Sequence, residues 1–359
     1  MKNLLYLFTI LSMITLSSCD DSLKNPVTTG TGLGEGYANS EASVCMTLAS
    51  LAYVNENNPA YMKDSLKIQL AKTNYATQGN WVLDWGPALS SDGSNMMYAV
   101  KDTSVFPYNY AIAVRGTDWC FPFNWKEDLG AIEFDPYPYG GNDDSISHGA
   151  LIGLNTLLNL IDSATGKSLI SYLNGIENNN TDSTFSSMFI TGHSLGGMLA
   201  TVLSAWFVDV GYTSKLDLTT YTFAAPSAGN EQFVQHYANI FTAAGAESYR
   251  VVNPNDLVPY FYGDISDVIT GQIPTTLPYK VDAVMLAMDA YFIKYNLIYK
   301  HVANKYTLPS ATPADCGYPP GSLDQYECYV AFNHHTTTYL TLLGAPLTEY
   351  GDTACEWER

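Results

Sequence analysis

The chain has 359 residues, and its 35 acidic against 16 basic side chains give a formal net charge of -19. That balance repels phosphate backbones and leaves no basic stripe to bind them, so nucleic acid is excluded as a partner. With 47% hydrophobic residues and 27 tyrosines there is material for a large core, which excludes global disorder, and the length suits one α/β domain around one sheet.

Lys2 precedes an apolar run from Leu4 to Leu16 that is too short to span a bilayer comfortably, so residues 1–18 read as a signal peptide. The run ends in Leu16-Ser17-Ser18-Cys19, which resembles the lipobox of bacterial lipoproteins. The resemblance implies that Cys19 becomes the acylated first residue of an exported protein, anchored by lipid in the cell envelope at the outer membrane or cell surface. Residues 19–39 are rich in Gly, Thr and Asn and read as a flexible tether, leaving 40–359 as the folded domain. With Cys19 acylated, Cys45, Cys120, Cys316, Cys328 and Cys355 remain, an odd number that leaves at least one unpaired. Cys316 and Cys328 are placed to close a short loop rich in Gly and Pro. No cysteine has zinc-ligand spacing, and neither a metal nor another cofactor is expected.

Apolar residues at helical spacing from Glu41 to Tyr53 predict an amphipathic helix that opens the domain. Tyr110 to Val114 is a short apolar run ended by Arg115-Gly116-Thr117, as expected of a strand buried on both faces. Three further runs have the same character, Met188 to Thr191, Tyr221 to Ala224 and Tyr249 to Val252. Helical patterns at Leu151 to Ile161 and Leu199 to Val208 separate the earlier ones, which predicts a doubly wound, mostly parallel sheet with helices on both faces. The segment from Tyr279 to Tyr299 is rich in Met and aromatic residues. It carries Lys280, Asp282, Asp289 and Lys294, so it reads as a packing segment and not a transmembrane helix, with a membrane-facing or substrate-facing role as the alternative.

The chemistry is carried first by Phe189-Ile190-Thr191-Gly192-His193-Ser194-Leu195-Gly196-Gly197, an apolar strand that runs through Gly-x-Ser-x-Gly into an apolar helix. A bare Gly-x-Ser-x-Gly arises by chance as a glycine-rich turn; these flanks on both sides do not. They are the context of a nucleophile elbow, in which small residues let strand and helix approach closely enough to expose the Ser194 hydroxyl above a helix N-terminus. A serine nucleophile needs a base oriented by a carboxylate, and in this fold they follow in the order Ser, acid, His. Asp256 stands in the turn that leaves the predicted strand at Tyr249 to Val252, at the carboxyl end where active-site groups of open α/β sheets collect. Of the six histidines, His193 lies inside the elbow and reads as a packing residue. His148, His236 and His301 fall in helical or strand-like flanks or come too early. His334 and His335 remain as candidates for the base.

In these motifs the chain, from roughly Ser40 to Leu343, resembles the class 3 lipases, which share an α/β-hydrolase domain. Arg115-Gly116-Thr117 is similar to the family's Arg-Gly-Ser/Thr, which implies that Thr117 helps form the oxyanion hole, and the elbow implies the Leu195 amide as the second donor. Trp125 to Leu129 is similar to a family motif near the movable lid, and Trp119, Phe121, Phe123 and Trp125 place an apolar cover between Asp118 and Asp144. Ala225 to Asn230 resembles the family's Pro-x-x-Gly-Asn, and Asn253 to Pro259 its acid motif. His148-Gly149-Ala150-Leu151 departs from the usual His-x-Gly-Phe, and the stretch from Pro259 to His301 is long and reshapes the rim. The family pattern His-x-x-x-x-Tyr-Leu puts His334 in register with Tyr339-Leu340. His335, four residues before Tyr339, would share its helix face and pack if the helix has begun there.

The resemblance implies a serine ester hydrolase of the triacylglycerol lipase kind, with Ser194, Asp256 and His334 as catalytic residues and a lipid or other ester as substrate. Phospholipase A1 and an esterase for soluble or aromatic esters need the same triad. A reading of another class is a lipid-anchored protein that uses the fold to bind a ligand without turnover; the intact set of catalytic residues argues against it.

Overall fold

The computed structural model describes residues 41–55, 58–116, 133–179, 186–266, 279–302, 305–310, 318–319 and 321–350. Cys19, Thr117 and the ring-rich segment Trp119 to Trp125 lie outside the described residues.

Helices α1 (Glu41–Leu51) and α2 (Pro59–Leu70) precede three antiparallel strands, β1 (Trp81–Leu89), β2 (Met96–Asp102) and β3 (Asn109–Val114). From β3 the sheet is parallel through β6 (Ser186–His193), β7 (Leu216–Phe223), β9 (Glu247–Val252) and β11 (Lys305–Thr307), giving the order β1-β2-β3-β6-β7-β9-β11. This is the α/β-hydrolase architecture that the sequence predicts, with both of its faces covered.

The period-two alternation of a strand sorts side chains onto those faces. Ile112 and Val114 of β3 join a cluster with helices α3 (His148–Leu158), α4 (Leu169–Asn179), α5 (Leu195–Asp209) and α6 (Glu231–Ala244). Ala111 and Ala113 point the other way, into a cluster with α1 and the C-terminal helix α9 (Thr336–Leu342). The two alanines leave room for α1, whose Met46, Leu48 and Leu51 are fully buried, each side chain contributing about 1.5–3 kcal/mol. Helix α5 is buried from Leu195 to Val208, which explains why its sequence is apolar on every face.

A second, four-stranded sheet was not foreseen. It runs β10-β8-β5-β4, from β10 (Tyr299–Lys300), β8 (Gly229–Asn230), β5 (Ser145–Ser147) and β4 (Phe134–Pro136). Its presence corrects the extent of the predicted lid. Within the expected span Asp118 to Asp144, residues 134–136 pair with β5 and Tyr137 is buried, so this end is pinned and is no free cover. Helix α7 (Tyr279–Lys294) runs from the long rim insertion into β10. Helix α8 (Leu323–His334) then leads straight into α9. Cys45 is a buried free thiol, pushed up in pKa chiefly by desolvation, and Cys328 is disulfide-bonded. Cys316, its expected partner, lies outside the described residues.

Candidate active site

Strand β6 delivers Ser194 to a turn in which the backbone is left-handed, φ 60° and ψ -131°, a conformation that costs of order 1–3 kcal/mol for a non-glycine residue. Its N–H donates to the Phe223 carbonyl of β7 at 2.9 Å, and the Gly197 N–H closes back on the Ser194 carbonyl at 2.9 Å. The strain persists because the surroundings leave no alternative. A Cβ at Gly192 would run into the Gly196 carbonyl oxygen, and one at Gly196 into the Val114 carbonyl and the Arg115–Gly116 peptide. Strand, elbow and helix are therefore closer than any side chain permits. Leu195 opens α5, so its N–H has no carbonyl one turn earlier to receive it and stands at the positive end of the helix dipole.

The base comes from the junction of two helices. His334 is the last residue of α8, and its Nε2 lies 2.8 Å from the Ser194 Oγ. Its Nδ1 faces the Asp256 carboxylate at 2.9 Å to Oδ2 and 3.2 Å to Oδ1. With a neutral ring, Nδ1–H donates to Asp256 and Nε2 accepts from the serine hydroxyl. His335, the other candidate from sequence, stands just before α9 and not within it. It caps α9, and its Nδ1 accepts the Thr337 N–H at 3.1 Å.

Asp256 is fully buried in the turn after β9, where its N–H donates to the Asn253 carbonyl at 3.0 Å. Besides the imidazole, its carboxylate accepts the Tyr339 hydroxyl at 2.8 Å and the Val258 N–H at 3.0 Å. The Tyr339 oxygen in turn accepts the Asn253 N–H at 3.1 Å. Burial, and then the charge of Asp256, push the Tyr339 phenol well above its ordinary pKa, so it stays protonated and donates. The Asn253 amide braces the other side by donating to the Asn333 carbonyl at 2.9 Å.

Two residues do more than sequence reasoning assigned to them. His193 does pack in the elbow, but its Nε2 also lies 2.7 Å from the carbonyl oxygen of His334, so that nitrogen carries the proton. Its Nδ1 then accepts from the Tyr53 hydroxyl at 3.3 Å. Tyr53, in the turn after α1, thus holds His193, and His193 holds the backbone of His334. No local pattern marks a contact across 140 residues, though an aromatic residue just past the first helix is its one trace. Gly116 is needed at the same place, since a Cβ there would meet the Tyr53 hydroxyl and the His193 carbonyl. Arg115 is buried and donates to the Gly93 and Ser94 carbonyls, which ties the end of β3 to the turn before β2. The Pro-x-x-Gly-Asn segment supplies β8, and its Asn230 side chain caps α6 by accepting the Phe233 N–H at 2.8 Å.

Residues 111–265 match the profile described as Lipase (class 3). The chain is 34% identical over 100 residues to the secreted mono- and diacylglycerol lipase 1 of Fusarium solani, covering 28% of this chain and 26% of that protein. It is 27% identical over 197 residues to phospholipase A1-II 1 of Oryza sativa subsp. indica, covering 53% and 46%. The matches thus span less than half of either relative's length. Among solved structures, M37 lipase superposes with a TM-score of 0.69 at 22% identity, covering 85% of this chain and 94% of that one, which establishes the shared fold. Residues 111–265 of the chain are thus similar to the class 3 lipases, and its fold is that of M37 lipase.

Proposed function

We propose that the protein is a serine carboxylic-ester hydrolase acting on acylglycerol esters through an acyl-enzyme. The observation that carries this reading is the placement of Ser194 and Asp256 on opposite nitrogens of one imidazole, at 2.8 Å and 2.9 Å, with the serine on a strained elbow at a helix N-terminus. His334 takes the Ser194 proton as Oγ attacks the ester carbonyl, and Asp256 stabilises the imidazolium that forms. The oxyanion is received by the Leu195 N–H and by Thr117, the residue after Gly116. His334 then returns the proton to the departing alcohol, and water, activated by the same base, releases the acid. These steps draw on side chains, backbone amides and water alone.

Acylglycerols are proposed because the Fusarium relative carries that name; the rice relative, matched over more residues, favours phospholipid as the second reading. Purified protein assayed on p-nitrophenyl esters of increasing chain length, on mono-, di- and triacylglycerol and on phosphatidylcholine, beside a Ser194→Ala control, separates these. Release of fatty acid from phosphatidylcholine alone would replace the acylglycerol assignment. Turnover that survives in Ser194→Ala would remove the esterase reading altogether. We further propose that the chain is exported and held in the bacterial cell envelope by acylation at Cys19. A fatty-acid analogue should label the protein, and Cys19→Ser should abolish the label and release the protein from the membrane fraction.

A further inference from the structure

Helix α7 has two apolar faces, and among the described residues only one of them is packed. Met285, Met288 and Phe292 are buried, and Met288 and Phe292 pack with Ile265, Leu297 and Tyr299. On the opposite side Leu286 and Ile293, seven residues apart on one helical stripe, are 48% and 71% exposed. Tyr295 and Ile298, in the turn that follows, are 53% and 56% exposed. A helix packed on one side normally turns polar residues outward, and a contiguous apolar exposure of this kind marks a binding surface.

The placement and charge of this ridge name its occupant. The ridge hangs from the carboxyl end of the main sheet, the end that carries Ser194. The chain leaving Asp256 meets the chain leaving β7 where the Ser227 N–H donates to the Phe261 carbonyl, and β10, just after the ridge, pairs with β8. Its charge runs against that of the molecule. In a chain of net charge -19, the exposed charges described between Met285 and Lys300 are Lys294 and Lys300, against the half-buried Asp289, with the exposed Glu133 near Tyr291. Lysines flanking exposed Ile, Leu and Tyr are the composition of a surface that lies in the headgroup layer, with apolar side chains below and ammonium groups at the phosphates. We infer that the outer face of α7 and the turn 295–298 form a docking surface for an anionic lipid bilayer, setting the serine's end of the sheet against it. This rests on the proposed lipid esterase reading for its purpose, though not for its test.

Binding is measured by co-sedimentation of the full chain carrying Cys19→Ser, so that no acyl group contributes, and Ser194→Ala, so that lipid is not consumed. The vesicles are phosphatidylcholine alone or mixed with phosphatidylglycerol. The parent should partition to the mixed vesicles, and more weakly as salt is raised. Ile293→Glu with Ile298→Glu should weaken this by roughly tenfold or more, and Lys294→Glu with Lys300→Glu by about fivefold or more on anionic vesicles only. Both pairs are exposed, so with Ser194 restored they should hydrolyse a water-soluble ester at the parental rate. Unchanged sedimentation of both pairs overturns the surface. So does a parent that is a dimer in solution and is split by the isoleucine pair, since the ridge then belongs to a second copy. A parent that sediments as expected but hydrolyses no soluble ester supports the surface and removes the esterase reading.

Discussion

Among the described residues two serine–histidine contacts have nearly equal length, the buried Ser194 to His334 at 2.8 Å and the partly buried Ser227 to His301 at 3.0 Å, each with an aspartate nearby. They differ in where the carboxylate stands. Asp256 faces Nδ1 of His334 while the serine faces Nε2, so a proton accepted at one edge of the ring is matched by negative charge at the other. Asp264 lies 3.5 Å from the same Nε2 of His301 that meets Ser227, so the pair has no relay through the ring. Burial first, then Arg250 and Lys305, push the His301 pKa well below its ordinary value. Of the two serines only Ser194 has the left-handed backbone of the elbow. A short Ser–His distance is therefore no sign of a nucleophile; the side of the ring that the carboxylate occupies, and the charge around it, decide.

The comparison is broken most directly by deleting each pair. Ser194→Ala or His334→Ala should lower ester turnover by roughly 10⁴ to 10⁶, whereas Ser227→Ala, His301→Ala and His335→Ala should each stay within about tenfold of the parent, as expected away from the reacting atoms. Activity that follows Ser227 and His301 would reverse the assignment. Next in size is Asp256→Asn, which keeps the shape but not the charge at Nδ1 and should cost about 10⁴ in kcat; a small loss would show that the carboxylate's position does not matter.

Tyr339→Phe sharpens the comparison on a smaller scale, since it removes one donor from Asp256 and leaves the relay intact. A hydrogen bond to a charged group contributes about 1.5–3 kcal/mol, so kcat should fall on the order of tenfold or more, and an unchanged kcat would make Tyr339 a packing residue only. The smallest effect is on stability and belongs to the second pair. Because the folded state holds the pKa of His301 below its ordinary 6.5, the unfolded chain takes up its proton first, and stability is lost as pH falls through 6.5 toward the folded value. His301→Gln should remove that loss, so the fall in Tm between about pH 7.5 and pH 5 should be smaller in the variant by on the order of a few °C. Parallel Tm profiles for the two proteins would mean that His301 does not report on this environment.

Much of this is legible in the sequence. β3, β6, β7 and β9 are apolar runs because helices cover both faces of the sheet, and the elbow is spelled out by glycines that backbone contact requires. β1 was hidden because register shifts between Leu83 and Trp85 and between Trp85 and Ala88 break its period-two pattern. α8 was hidden by a sequence, LDQYECYVAFNH, that lacks an apolar stripe. That omission left His334 and His335 to be ranked by register alone, when the physical difference is that one ends a helix and the other caps the next. The second sheet is built from strands of two or three residues, too short to carry any periodicity. The bonds from Tyr53 and Tyr339 to the site are long-range, and no local spacing encodes them.

The order of the site along the chain has a consequence for biosynthesis. The strained serine and all strands of its sheet but β11 are encoded by residue 252, and the carboxylate by residue 256, but the imidazole that makes the serine reactive arrives only with α8, and Tyr339 only with α9. A nascent chain stopped anywhere before His334 carries a nucleophile without a base. On the proposed reading, ester hydrolysis therefore waits for α8, and an esterase built in this order stays silent toward the membranes of the cell that makes it until that helix has joined the sheet.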